Sequence, residues 1–235
     1  MRYALYFTPH RDHPLTLAAT AWLGRDAFSG EETQLADIGD LAAADLSRWT
    51  AEPRRYGFHA TLVAPFRLKA GLAQEDVLRA AASLAGRCAP FAIPRLEIAR
   101  LENFLALVPA QANADVEALA DAAVDHLQPL RAPLSECEIA RRNPARLSAR
   151  QRTYLERHGY PYVKEEFRFH MTLSGPLAPA EAGRLEPVLK ALLAPVLASP
   201  VAVGSVSLFV EPAPGAPFTV LATHRLGSAG AGKHA

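Results

Sequence analysis

The chain has 235 residues, half of them hydrophobic and 21% charged, enough to bury one large core or two small ones. Its formal charge of +1 argues against partners held mainly by electrostatics, such as duplex DNA or an anionic membrane, and leaves room for a local basic patch. No window approaches 18 uninterrupted apolar residues, so a transmembrane helix and a membrane partner are excluded from the reading.

Taken in order, residues 2–8 ("RYALYFT") alternate as a strand, and the segment lacks the apolar run of a signal peptide. Residues 15–25 and 40–49 read as helices, 56–66 as a strand and 73–86 as a helix rich in Ala and Leu. Residues 95–109 read as two strands joined near Glu102 and Asn103, followed by a helix over 113–128 that "NADVE" would cap. A helix over 147–159 ends on Gly, and 166–174 reads as a strand. A helix over 179–197 and strands over 201–211 and 217–225 complete the pattern. Residues 227–235 have the composition of a flexible tail. No linker divides residues 1–226, so the expectation is one domain with two similar lobes. Cys88 and Cys137 form no CxxC pair and are expected to be inert buried thiols in a reducing cytoplasm.

Two stretches repeat. "YGFHATLVAPF" (56–66) and "FRFHMTLSGPL" (167–177) align on His59 and His170, which lie 111 residues apart, as do Thr61 and Thr172. Residues two apart on a strand share a face. His59 and Thr61, and likewise His170 and Thr172, would therefore stand opposite an apolar face carrying Phe58, Ala60 and Leu62, or Phe169, Met171 and Leu173. Composition alone gives about 0.05 expected occurrences of H-x-T-L. Two are present, and a purely structural duplication would have no need to keep both His and Thr.

Imidazole titrates near neutrality, so one of two facing histidines can take a proton while the other gives one. A Thr hydroxyl beside each can hydrogen-bond a phosphate oxygen. That pairing suits in-line displacement at phosphorus without a metal or other cofactor.

"HATL" and "HMTL" resemble the twin H-x-T signatures of the 2H phosphoesterase superfamily, and the resemblance runs from the opening strand to the closing strand pair. The flanks "RRYGFHATL" and "GYPYVKEEFRFHMTL" resemble more narrowly a branch found in bacterial phosphonate-utilisation operons. What the resemblance implies is an α+β, bilobal, pseudo-twofold fold, with an antiparallel sheet and flanking helices in each lobe and a cleft between them. It also implies His59, Thr61, His170 and Thr172 as the catalytic set. The expected activity is hydrolysis of a cyclic phosphate or small phosphodiester, with the two histidines left unassigned as acid and base. RNA end processing or ligation, and phosphoester binding without catalysis, are the alternatives. The expected partner is a small phosphoester such as a cyclic ribose phosphate or nucleotide, with RNA as a further candidate. The protein itself is expected to be a cytoplasmic monomer.

Substrate contacts are sought nearby. Arg168 shares the face of His170 and is the first candidate phosphate clamp, with Arg55 and Lys164 as further cations. Tyr56 and Tyr162 are candidates for stacking on a base or sugar, as is Tyr160. The run containing Arg141, Arg142, Arg146, Arg150, Arg152 and Arg157 reads as a solvated face or a second phosphate contact. His10, Asp12 and His13 are too few for a metal site, and "GSAGAGKH" lacks the Ser or Thr and the following helix of a P-loop.

Overall fold

The computed structural model describes residues 1–35, 38 and 41–227. The expected tail and the Gly-Lys motif within it lie outside the described residues from 228 onward. The strands are β1 (Arg2–Phe7), β2 (Ala60–Phe66), β3 (Phe91–Ile93), β4 (Leu96–Leu101), β5 (Phe104–Pro109), β6 (Met171–Thr172), β7 (Val201–Val203), β8 (Ser205–Glu211) and β9 (Thr219–Arg225). The helices are α1 (Pro14–Leu23), α2 (Ala43–Tyr56), α3 (Gln74–Arg87), α4 (Ala114–Leu127), α5 (Glu136–Ala140), α6 (Ala149–His158) and α7 (Pro179–Leu193).

Seven strands form one antiparallel sheet in the order β4-β5-β6-β2-β1-β8-β9, and β3 pairs with β7 separately. The two repeated motifs supply the neighbouring strands β6 and β2, with Ala60 directly opposite Met171. Each of these residues follows its motif histidine, so the pair relates equivalent positions of the repeat. Equivalent residues facing each other across an antiparallel ladder define a local twofold axis. The expected symmetry is therefore present, with the three strands β4-β5-β6 on one side of the axis and four on the other. The two halves of the expected pair of sheets join edge to edge through this single residue pair.

Tyr3, Leu5 and Phe7 of β1 enter the main core with Leu62, Met171, Leu173 and Leu208, while Ala4 and Tyr6 join Ala27, Phe209 and Phe218 in a second cluster on the other face. Helix α4 packs on β2, α3 on β8 and β9, and α7 on β4 and β5. Burying Val116, Leu119, Ala120, Ala123, Val124 and Leu127 follows the 3.6-residue repeat of α4. Asn113 caps it by accepting from the Val116 N–H at 3.1 Å. Ser148 and Gln151 form a reciprocal capping box on α6, which ends on left-handed Gly159 (φ 66°) as its sequence predicts.

Several expectations shift. The first motif's strand begins at Ala60, because α2 runs on to Tyr56, and β6 has only two residues. Both copies share one contact at this point. His59 Nδ1 donates to the Gly57 carbonyl at 2.9 Å, and His170 Nδ1 donates to the Arg168 carbonyl at 2.8 Å. Each imidazole thus occupies the carbonyl that a longer strand would place in its ladder. The strand expected over 201–211 divides at Gly204 into β7 and β8. Both cysteines are free, but Cys137 is exposed on α5, whose residues are largely solvent-facing, and Cys88 is half-buried. In the "HRDH" stretch His13 caps α1 by accepting from the Leu15 N–H, and His10 accepts from the Asp12 N–H. Among the described residues no group of three or more His, Cys, Asp or Glu is arranged to hold a metal ion, and no helix is long and apolar enough to cross a membrane.

Candidate active site

The Ala60–Met171 pair is the ladder contact between the motifs; an antiparallel register continued by one residue each way would set His59 opposite Thr172 and Thr61 opposite His170. Opposed residues point to one face, so the four side chains form a compact quartet. Its histidines lie on a diagonal, a relation that spans about 7–8 Å. A carbonyl can only accept, so the Nδ1 contacts fix the hydrogen of each neutral ring on Nδ1 and leave Nε2 for chemistry. At His59 that nitrogen accepts from the Thr61 hydroxyl at 3.3 Å.

His59, Thr61 and Thr172 open into a cavity of about 380 Å³, a size that suits a small ligand. Tyr6, Tyr56, Tyr160 and Phe104 give it aromatic walls, and Arg2 and Arg142 bring positive charge. His170 stands beside this lining, half-buried, with its ring 5.9 Å from that of Phe104.

The two halves differ at one position that the symmetry makes comparable. Tyr6 of β1 is opposite Thr61, and Ala106 of β5 is opposite Thr172. Tyr6 stacks on His59 with ring centroids 3.8 Å apart, where the other half presents only a methyl group. Burial lowers the His59 pKa to about 4; the positive charge of a protonated His170 adds to this, while the Gly57 carbonyl opposes it. His59 is thus neutral near pH 7, as a proton acceptor must be. Burial also raises the Tyr6 hydroxyl pKa, reinforced by Tyr56 and Tyr160, so it stays protonated.

The sequence-expected contacts disperse. Arg168 is exposed and its side chain lines a separate cavity beside Asn113 and Glu117. Its backbone carbonyl, as the acceptor for His170, is what reaches the quartet. Gly57 holds the equivalent place in the first copy at φ 77°, where a Cβ would lie 2.4 Å from that of Ala27. Packing accounts for the difference between the two copies there. Lys164 pairs with Asp125 at 2.8 Å on α4. Arg55 pairs with Glu211 and lies over the Tyr56 ring. Tyr56 does line the cavity and stacks on Phe218 at 5.0 Å. Tyr162 is exposed and meets Tyr160 edge-on at 5.6 Å. From the arginine-rich run it is Arg142 that lines the cavity, its guanidinium 4.8 Å from the centre of the Tyr160 ring.

Arg2, Tyr6 and Phe104 were not singled out by sequence reasoning. The signal for the first two was available, since Arg2, Ala4 and Tyr6 alternate onto one face of β1. What was missing was that β1 would pair beside β2. Arg2 is held by buried Glu211, which its Nη2 reaches at 2.9 Å.

Comparison with known proteins adds a relationship in sequence. The chain is 42% identical to "Ribose 1,5-bisphosphate phosphokinase PhnN" of Janthinobacterium sp. (strain Marseille) over 221 residues, 92% of this chain and 49% of that protein. A protein of the same name from Laribacter hongkongensis (strain HLHK9) is 38% identical over 220 residues, 93% of this chain and 50% of its own. The chain therefore spans about half the length of these relatives. Among solved structures, TT0787 of Thermus thermophilus aligns over 100% of both chains with 18% identity and a TM-score of 0.47. The family model described as "Protein of unknown function (DUF1045)" matches residues 61–219, from the threonine of the first motif, through the whole of the second, to the start of β9. The chain thus belongs to the DUF1045 family.

Proposed function

We propose that this chain is a metal-independent phosphodiesterase that opens a cyclic phosphate or cleaves a small phosphodiester. The observation that carries the proposal is the Ala60–Met171 pair, which sets two His-Thr pairs about one axis with each Nδ1 held by a carbonyl and each Nε2 left as the nitrogen for chemistry. His59 accepts a proton from water as the water oxygen bonds to phosphorus. The bond from phosphorus to the leaving oxygen breaks, and protonated His170 supplies that oxygen with its proton. Water is consumed, one P–O bond forms and one breaks, and solvent exchange restores the two rings. Thr61 and Thr172 donate to the non-bridging oxygens, the Thr61 hydroxyl leaving His59 Nε2 as substrate enters. Arg142, rather than Arg168, serves as the phosphate clamp. Support for a ribose-based substrate comes from relatives of twice the length whose name specifies a ribose bisphosphate. A cyclic ribose phosphate is the first candidate, followed by a nucleoside 2′,3′-cyclic phosphate.

The test is incubation with cyclic ribose phosphates, nucleoside 2′,3′-cyclic phosphates and short RNAs ending in a cyclic phosphate, with products read by phosphorus NMR. Turnover that survives EDTA supports the proposal. Turnover abolished by EDTA and restored by metal overturns it, as does tight binding without product.

Two further outcomes are expected. Replacing Arg142 by Ala raises KM about tenfold or more, with little change in the thermal melt, since Arg142 is half-exposed and its side chain rests on the Tyr160 ring. The pH profile of kcat/KM holds its activity down toward pH 4, where protonation of His59 removes the base. In Tyr6→Ala, water reaches His59 and the acid limb moves up toward the ordinary histidine value of about 6.5. An unmoved limb would show that Tyr6 does not set the basicity of His59.

A further inference from the structure

A second groove, of about 800 Å³, lies between the chain after α4 and the helices α5 and α6. Lys69, Arg131, Arg152, Arg157 and His158 line it, against Asp125 and Glu156. Arg131 is the unusual member. It is only 8% exposed, and no carboxylate pairs with it among the described residues. Two carboxylates of this region are engaged elsewhere, Glu138 by Arg67 at 2.8 Å and Asp125 by Lys164 at 2.8 Å, which leaves Glu156 as the other acidic group of the lining.

The guanidinium is nevertheless seated in a built slot. Its Nη2 donates to the Gly159 carbonyl at 2.9 Å, and its carbon lies 5.7 Å from the centre of the Phe66 ring. Gly159 must be glycine for this approach, because a Cβ there would meet Arg131 Nε at 2.4 Å. Among the described residues the Nε hydrogen has no acceptor, and no hydrogen bond satisfies Nδ1 of His158, itself 5% exposed.

Burying a cation without a counter-charge is costly, and a buried N–H without an acceptor adds to the cost. An anion in the groove would supply the missing counter-charge. We infer that this groove is an anion-binding site, separate from the His-Thr quartet, for a phosphate-bearing small molecule. The phosphate accepts from Arg131 and from the cations Lys69 and Arg157, while Pro129, Pro133 and Leu134 on the same wall meet the less polar body of the ligand. Phosphate is favoured over a single carboxylate because several donors converge on the groove and leave an excess of positive charge.

The experiment is residue-resolved NMR of the full chain titrated with inorganic phosphate, pyrophosphate and ribose 5-phosphate. Saturable shifts are expected at the amides of Arg131, His158 and Gly159, with a binding curve distinct from that at His59 and Thr61. Lys69→Ala combined with Arg157→Ala, both surface changes, is expected to weaken the groove curve about tenfold or more. Arg131→Met, which fills the slot without charge, is expected to melt no lower than the parent and to lose the curve. Absence of saturable shifts in the groove, or an unchanged curve in the Lys69/Arg157 double variant, would overturn the inference. Because the readout is binding at named amides, it stands or falls apart from any turnover at the quartet.

Discussion

Alanine at His59 is expected to lower kcat toward a cyclic phosphodiester by about 10²–10⁴-fold, the usual contribution of a positioned acid or base. His170→Ala is expected to fall by a similar factor on that substrate. The two variants separate on an aryl phosphodiester, whose leaving oxygen departs without needing a proton. There His170→Ala recovers most of the parental rate, and His59→Ala does not. The basis is the burial of His59, beneath a Tyr6 ring stacked at 3.8 Å, which keeps that imidazole neutral, against the half-buried setting of His170. The opposite pattern would exchange the two roles. Full activity of either variant on the cyclic substrate would end the proposed mechanism.

The second large effect concerns stability. Glu211, 1% exposed, bridges Arg2 and Arg55 and accepts from the Gly215 N–H at 3.0 Å. Glu211→Gln leaves two guanidinium groups beside one neutral amide. Both arginines are partly hydrated, so the loss is set at the low end for broken buried pairs, about 3 kcal/mol. For a chain of this length that corresponds to a fall in Tm of about 6–12 °C. Burial alone would raise the Glu211 pKa, but the bonds from Arg2 and Gly215 and the charge of Arg55 outweigh it and hold the pKa below its usual value. Because the folded pKa is depressed, this stabilisation is present above the unfolded carboxylate range and is lost as pH falls through the folded value. Thermal melts of the variant and parent at neutral pH, and again in acid, check both statements: the gap should narrow in acid. An unchanged Tm at neutral pH would show that the arginines are satisfied by water.

Much of this architecture was legible from local pattern. Asn113 before an apolar 3.6-residue repeat announced α4, and the Ser148–Gln151 box and Gly159 bounded α6. The quartet itself was legible because the repeat kept chemistry that packing did not require. Arg168 was harder to read. Its expected direction assumed a strand running through residues 166–174, whereas β6 holds only Met171 and Thr172. Tyr6 and Arg2 could be read as sharing a face of β1 but not as part of the site. Their role depends on β1 lying between β2 and β8, partners separated from it by tens and hundreds of residues. Glu211 likewise gains its arginines only through that pairing.

The short join between β2 and β6 has a mechanical consequence. A sheet whose two halves share one ladder pair has little backbone hydrogen bonding to lose if the halves part, while β1 is bonded to β8 over five pairs. The halves are then held chiefly by their shared core and by bonds such as that from Trp22 Nε1 to the Leu173 carbonyl at 2.7 Å, contacts expected to loosen before the ladders within each half. On heating, the alignment of the two histidines should therefore fail before the secondary structure does. Loss of activity at temperatures where circular dichroism is still native, accompanied by early amide exchange at Met171, is the expected sign of such a seam.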